Sequence, residues 1–275
     1  MITSRKDPNL QTLLDSDITF SIRKTFSDAW NNFSLNAGKY IGFTLLVILI
    51  SIAGSFIPIV NMGVSLLTGV LYAGFYIFAH QSLQDGKETK FSFFWKGFGD
   101  AGQLIVSSLI QALIIFGIFI VFFLLIGAGI ASAIGMENLI DGSTFNLEQW
   151  IEDNFQDNPA LLVAGGVGVL VFYFALFCLF ILWIFSFQFI TFYKMNAWDS
   201  MECSRKLVMK KFGKIFLFMF ASSLVALLGF LCFGIGLIVS FPVVMIAQYF
   251  AFKQLVANIE EDGMSNSALE NHFVG

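Results

Sequence analysis

The sequence predicts an all-α integral membrane protein with six transmembrane helices, and three observations carry that prediction. Of its 275 residues, 57% are hydrophobic and only 12% charged, whereas a soluble domain carries about 25% charged residues. The apolar residues gather into runs of about 20 or more, the length needed to cross a hydrocarbon core about 30 Å thick. The cations are confined to alternate loops, as the positive-inside rule requires of a polytopic chain.

Residues 1–22 are polar and without a sustained pattern, and read as a cytoplasmic tail. Arg5 and Lys6 are followed by Asp7, Pro8 and Asn9 where a signal peptide would need its apolar core, so the first span is expected to direct insertion itself. From residue 23 to 40, Phe26, Trp30, Phe33, Ala37 and Ile41 fall at helical spacing, with Arg23, Lys24, Asp28 and Lys39 around the rest of the helix. An apolar stripe with basic flanks, directly before a span, predicts a helix lying in the membrane interface.

The first span covers residues 41–57 and the second 63–83, joined by a tight outer turn at Pro58, Asn61 and Gly63. The loop 85–100 holds Lys87, Lys90 and Lys96 and an aromatic set, Phe91, Phe94, Trp95 and Phe98, spaced as one face of a second interfacial helix. The next two apolar runs, 103–134 and 160–192, are too long for the core at about 1.5 Å per residue. Gly127 and Gly129 in the first, and Gly165, Gly166 and Gly168 in the second, are expected to end spans of 104–126 and 169–191. These glycines are also expected to let the two helices approach closely.

Between those runs, residues 136–158 carry six acidic residues and no Lys or Arg, which marks an outer loop. Asn146 and Gln149 resemble a capping box, with Leu147, Trp150, Ile151 and Phe155 as the apolar face of a short outer helix. The stretch 194–214, KMNAWDSMECSRKLVMKKFGK, holds six of the fifteen Lys and Arg residues and predicts a third interfacial helix. Trp198, Met201, Val208 and Phe212 would face the bilayer, and Arg205 falls on that side, where it needs a headgroup or a partner. The fifth span covers 214–232 and the sixth 236–257, with Pro242 as a kink; residues 258–275 form a short acidic cytoplasmic tail.

In this arrangement all fifteen Lys and Arg residues lie on one side. Both termini are then cytoplasmic, and the expected location is a bacterial inner membrane. Sliding residues 23–83 onto 194–256 by 171 brings Phe26, Trp30, Phe33, Ala37 and Ile41 onto Ala197, Met201, Ser204, Val208 and Phe212, and Gly63 onto Gly234. The shared plan is a basic interfacial helix, a span, a tight break and a span back, which predicts a duplicated hairpin unit.

The aromatic loop FSFFWKGFGD, the basic segment AWDSMECSRKLVMKKFGK and the hairpin GFLCFGIGLIVSFPVVMIAQYF resemble the bacterial six-helix proteins related to the membrane domain of glycerophosphodiester phosphodiesterases. The resemblance covers residues 22–256 and implies an inner-membrane protein of largely uncharacterised role. In the phosphodiesterases the chemistry belongs to an attached soluble barrel. This chain has no counterpart of that barrel, so the activity is not carried to any residue here.

Functional candidates are few. His80 and His272 are the only histidines, and Cys178, Cys203 and Cys232 stand far apart, so no metal, cofactor or catalytic constellation is implied. The acidic set Glu148, Glu152, Asp153 and Asp157 reads as a solvated face, with attraction of a divalent cation by the pairs at i, i+4 as the alternative. Gln103, Ser107 and Gln111 follow one another at helical spacing, and His80, Gln81, Gln188 and Gln248 fall at the same depth. Together they predict either a polar vestibule open to the cytoplasm or simple interhelical hydrogen bonds. Arg23, Lys24, Lys39, Arg205, Lys206, Lys210 and Lys211 are the candidate contacts to lipid headgroups or to a protein partner.

The function expected from these residues is a non-enzymatic accessory or scaffold subunit that binds membrane lipids or a protein partner, with no nucleic acid. The alternative is a transporter of lipid or a hydrophobic solute through the vestibule.

Overall fold

A computed structural model describes residues 20–56, 58–134, 159–231 and 234–261. Among them there is no strand, and six helices are long and apolar enough to span a membrane. The protein is therefore an all-α polytopic membrane protein. The expected outer helix at 146–155, the acidic set around it, His272 and the two tails lie outside the described residues, apart from Phe20, Ser21 and the end of the last helix.

The helices are α1 (Ile22–Leu35), α2 (Ala37–Ser55), α3 (Pro58–Asp85), α4 (Ala101–Ile134), α5 (Pro159–Leu182), α6 (Ser186–Tyr193), α7 (Ala197–Lys210), α8 (Phe212–Leu231) and α9 (Leu237–Glu261). Two 3-10 segments, Gly86–Glu88 and Phe91–Asp100, connect α3 to α4. The chain divides into two compact units, residues 110–180 and the remainder.

The larger unit is built around an aromatic cluster. Phe94 is 1% exposed, stacked between Phe43 at 4.2 Å and Phe78 at 4.0 Å. The segment that carries it was expected to lie flat as an α-helix with Phe91, Phe94, Trp95 and Phe98 on one face. It is instead a 3-10 helix of ten residues. With three residues per turn, positions 91, 94, 97 and 100 align, and Phe94 and Gly97 are the buried pair while Trp95 and Phe98 turn outward.

Glycines on both partners make this insertion fit. A Cβ on Gly97 would lie 2.6 Å from the Val70 carbonyl, and one on Gly74 would collide with the Phe94 carbonyl. Two backbones meet here where side chains would keep them apart.

The duplicated hairpin is present, but its register is 175 residues rather than 171. Ser21 and Asn196 cap α1 and α7, each accepting a hydrogen bond from the amide three residues on. Both helices run 14 residues and end at Asn36 and Lys211, whose φ/ψ values are −131°/32° and −129°/35°. The buried residues Thr25, Ala29, Asn32 and Phe33 match Ser200, Ser204, Leu207 and Val208. At the far end, Gly54 closes on Asn61 as Gly229 closes on Gly236. A slip of four residues is one helical turn, which leaves an apolar stripe superimposed on itself. Only the caps and the glycine contacts distinguish the two registers.

The faces of α1 and α7 that were expected to meet lipid are largely covered by protein. Phe26 and Phe20 pack on Phe218, and Phe33 on Tyr40; Met201 and Val208 are buried. Trp30 and Trp198 remain outward, at 54% and 63% exposure.

The fourth apolar run breaks at its C-terminal end, not at its glycines. Helix α5 stops at Leu182, and Ser204 from α7 takes the place of the lost backbone bonds: its Oγ accepts from the Phe185 amide at 3.2 Å and donates to the Leu182 carbonyl at 2.7 Å. In the smaller unit α4 and α5 meet through Phe122 and Phe172, stacked at 3.7 Å. Gly127, Gly129, Gly165, Gly166 and Gly168 have no atom within 4 Å of a would-be Cβ, so the close glycine approach is not formed. Phenylalanines set the separation of these helices.

Candidate functional site

Two polar regions of the larger unit bear on function: the network at the α1–α2 joint, and a cavity between α1, α3 and α9.

The network begins at Asn32, which is 2% exposed. Its Nδ2 donates to the Ala79 carbonyl at 3.2 Å, and its Oδ1 accepts from the Tyr40 hydroxyl at 2.6 Å. One turn on, Asn36 donates to Ser82 Oγ at 2.9 Å and to the Gly86 carbonyl at 2.8 Å. Lys39 completes it, donating from Nζ to Asn36 Oδ1 at 3.0 Å and to the carbonyls of Lys87 and Thr89 at 2.8 and 2.7 Å. An ammonium has three donors, and all three of Lys39 are used inside the protein. That departs from its expected role as a headgroup contact: its charge fixes the connection that delivers Phe94 to its slot.

The seven residues of the expected vestibule are held in different ways. Gln248 accepts from the Tyr76 hydroxyl at 2.8 Å, and His80 Nδ1 lies 2.8 Å from the Tyr249 hydroxyl, so both bridge α3 and α9. Gln81 donates to Asp85 on its own helix at 2.9 Å. Gln103 accepts from the Ala197 amide at 3.0 Å and so serves the first turn of α7. Ser107 is buried. Gln188 is fully buried, and neither amide atom has a protein partner among the described residues. Gln111 lies in the smaller unit.

The other candidate cations also divide. Glu202 accepts two bonds from Arg205, at 2.8 and 2.7 Å, and pairs with Lys206 at 3.3 Å. Arg205 therefore finds its partner on its own helix. The Arg205 guanidinium hydrogen bonds hold the Glu202 carboxyl down at about 2. A depressed carboxyl stabilises the fold above its ordinary value, and that contribution is lost as pH falls through about 2. Arg205→Met is expected to raise the Glu202 midpoint towards the ordinary glutamate range, read by carboxyl-carbon NMR; an unmoved midpoint would contradict the pairing. Burial pushes the neighbouring Cys203 thiol up to about 11, which leaves it protonated and inert at neutral pH.

Arg23, Lys24 and Lys210 make no ion pair among the described residues, and neither does Lys253 on α9. Lys24 and Lys253 line one cavity of about 440 Å³ together with Asp28, Asn31, Asn32, Leu35, Leu83, Phe250 and Gln254. Residues 24, 28, 31 and 35 form one stripe of α1, and 250, 253 and 254 one face of α9. Gln254 joins the two, its Oε1 accepting from the Ser21 amide at 3.1 Å and its Nε2 donating to Thr25 Oγ1 at 3.0 Å. None of the seven vestibule residues lines this cavity. Sequence reasoning named Lys24 but missed Lys253 as its companion, because the α1–α9 contact joins positions 229 residues apart. Among the described residues no three His, Cys, Asp or Glu side chains are grouped as a metal site requires.

Comparison of the chain with protein-family models, curated proteins and solved structures gives no match. What the geometry itself establishes is a polytopic all-α membrane protein with a basic, part-apolar cavity in its larger unit.

Proposed function

We propose that this chain is a non-enzymatic accessory or scaffold protein of the bacterial inner membrane, with both termini cytoplasmic, that holds lipid headgroups or a protein partner at its basic rim. The observation that carries the reading is the set of polar bridges fixing α1, α3 and α9 to one another: Asn32 to Ala79, Tyr76 to Gln248 and His80 to Tyr249. Polar groups spent in this way give a fixed body, which suits a scaffold. Arg23, Lys24 and Lys210 stand on that body as exposed cations, each adding about 1 kcal/mol of attraction to an anionic surface. The relation to the membrane domain of glycerophosphodiester phosphodiesterases belongs to the same proposal.

One observation favours the transporter alternative. Gln188 is buried without a protein partner among the described residues, as a residue awaiting a polar cargo would be. Gln188→Leu separates the two readings. On the scaffold reading, removing an unpaired buried amide is neutral or raises stability by about 1 kcal/mol in a detergent melt, and co-purification of lipid or partner is unchanged. Loss of a flux across reconstituted vesicles, with the fold intact, would favour the transporter.

A further inference from the structure

We infer that the cavity between α1, α3 and α9 is a binding site for the phosphodiester headgroup of a membrane phospholipid. This deepens the headgroup-holding role proposed above and rests on it. Lys24 and Lys253 enter the cavity from different helices, and neither is engaged in an ion pair among the described residues. With Asp28 the lining carries a net charge of one positive, which matches a single phosphodiester. Asn31 adds amide donors to anionic oxygens, the class of hydrogen bond that is strengthened by charge.

The other wall is apolar. Leu35, Leu83 and Phe250 line it, which suits the first carbons of an acyl chain better than water. Depth agrees with this division. Lys253 lies in the last turn of the apolar stretch Leu237–Val256, and Leu83 near the end of Gly63–Glu88. Headgroups replace hydrocarbon at that level of a bilayer. A volume of about 440 Å³ falls within the range of about 300–1,000 Å³ for sites that enclose small molecules.

The site was not legible as a motif, since its two cations lie at opposite ends of the sequence. It also breaks the internal repeat. The residues equivalent to Lys24 and Asp28 at the 175-residue spacing are Asp199 and Cys203, so the second unit lacks the first cation and carries no counterpart of this charge pattern.

The test is native mass spectrometry of the full chain in detergent, titrated with 1-palmitoyl-2-oleoyl phosphatidylglycerol. The wild type is expected to retain one lipid, and Lys24→Gln with Lys253→Gln is expected to weaken retention about thirtyfold. Leu83→Trp fills the apolar wall with both charges intact and is expected to lose the lipid too. Lys214→Gln, at an exposed cation outside the cavity, is expected to keep it. Water-soluble glycerophosphoglycerol is expected not to compete at concentrations where the lipid binds. Equal retention by the double variant and the wild type would overturn the site while leaving the headgroup role standing. An equal loss in Lys214→Gln would point to diffuse surface charge and overturn it as well. Competition by the soluble headgroup at lipid concentrations would replace the lipid by a soluble phosphodiester. A wild type that retains no lipid would remove both this site and the headgroup-holding reading beneath it.

Discussion

Phe94→Ala is expected to cost about 3 to 5 kcal/mol of stability, the cost of emptying a packed aromatic site. It is the largest single loss this fold should show. Phe94 is the ring on which Phe43 and Phe78 stack and which Tyr40 and Phe75 meet edge-on. Removing it leaves a space with backbone on one side, held by the Gly74–Gly97 contact and unable to collapse cheaply. Reversible unfolding in mixed detergent and sodium dodecyl sulfate measures the effect, with Phe98→Ala as comparison. Phe98 is 43% exposed, and its loss should cost less than about 1 kcal/mol. Equal effects at the two positions would mean that the 3-10 segment is not seated as described.

Lys39→Met is expected to cost about 2 to 3 kcal/mol, although it conserves the length of an apolar stem. The loss comes from three acceptors, Asn36 Oδ1 and the carbonyls of Lys87 and Thr89, since hydrogen bonds to a charged donor are each worth about 1.5–3 kcal/mol and are not additive in one network. The same unfolding assay measures it. Hydrogen exchange should show the local consequence, faster opening of residues 86–100, while the amides of α8 are unaffected. If Lys39 were a headgroup contact instead, Lys39→Met would weaken lipid retention and leave that exchange pattern unchanged.

Much of the fold was legible because membranes impose simple rules. A run of about 20 apolar residues has few alternatives to a spanning helix, so the six helices could be read from composition alone. The basic amphipathic helices were legible too, and so was their duplication. Its register was not, because an apolar stripe fits itself equally well one turn along, and the caps at Ser21 and Asn196 had to be recognised first. The aromatic loop was misread for a related reason. A period of 3.6 groups Phe94 with Trp95 and Phe98, whereas a period of 3.0 groups it with Gly97, and nothing in ten residues selects the second until Gly74 offers a notch.

The sites were less legible than the fold, since they depend on contacts between distant parts of the chain. Lys39 resembles any interfacial lysine until its carbonyl acceptors, about 50 residues away, are in place. The break before α6 has neither Gly nor Pro and is explained by one serine on the following helix. For the polar residues near the basic ends of the helices, a shared depth was expected and their direction could not be read. His80, Gln103 and Gln248 turned out to bridge helices, while Gln188 is buried with neither amide atom bonded to protein among the described residues.

The chain is expected to cross the membrane six times and to collect its cations on one face. Site-directed labelling of a cysteine-free variant with a membrane-impermeant maleimide tests it most directly. Ser34, Glu88 and Lys210 are exposed beside basic segments, and Asn61 and Ile235 are exposed at the opposite turns. Single cysteines at the first three positions are expected to react only in inverted vesicles, and those at the last two only in right-side-out vesicles. Labelling of positions 61 and 235 from the same side as 34, 88 and 210 would contradict the architecture.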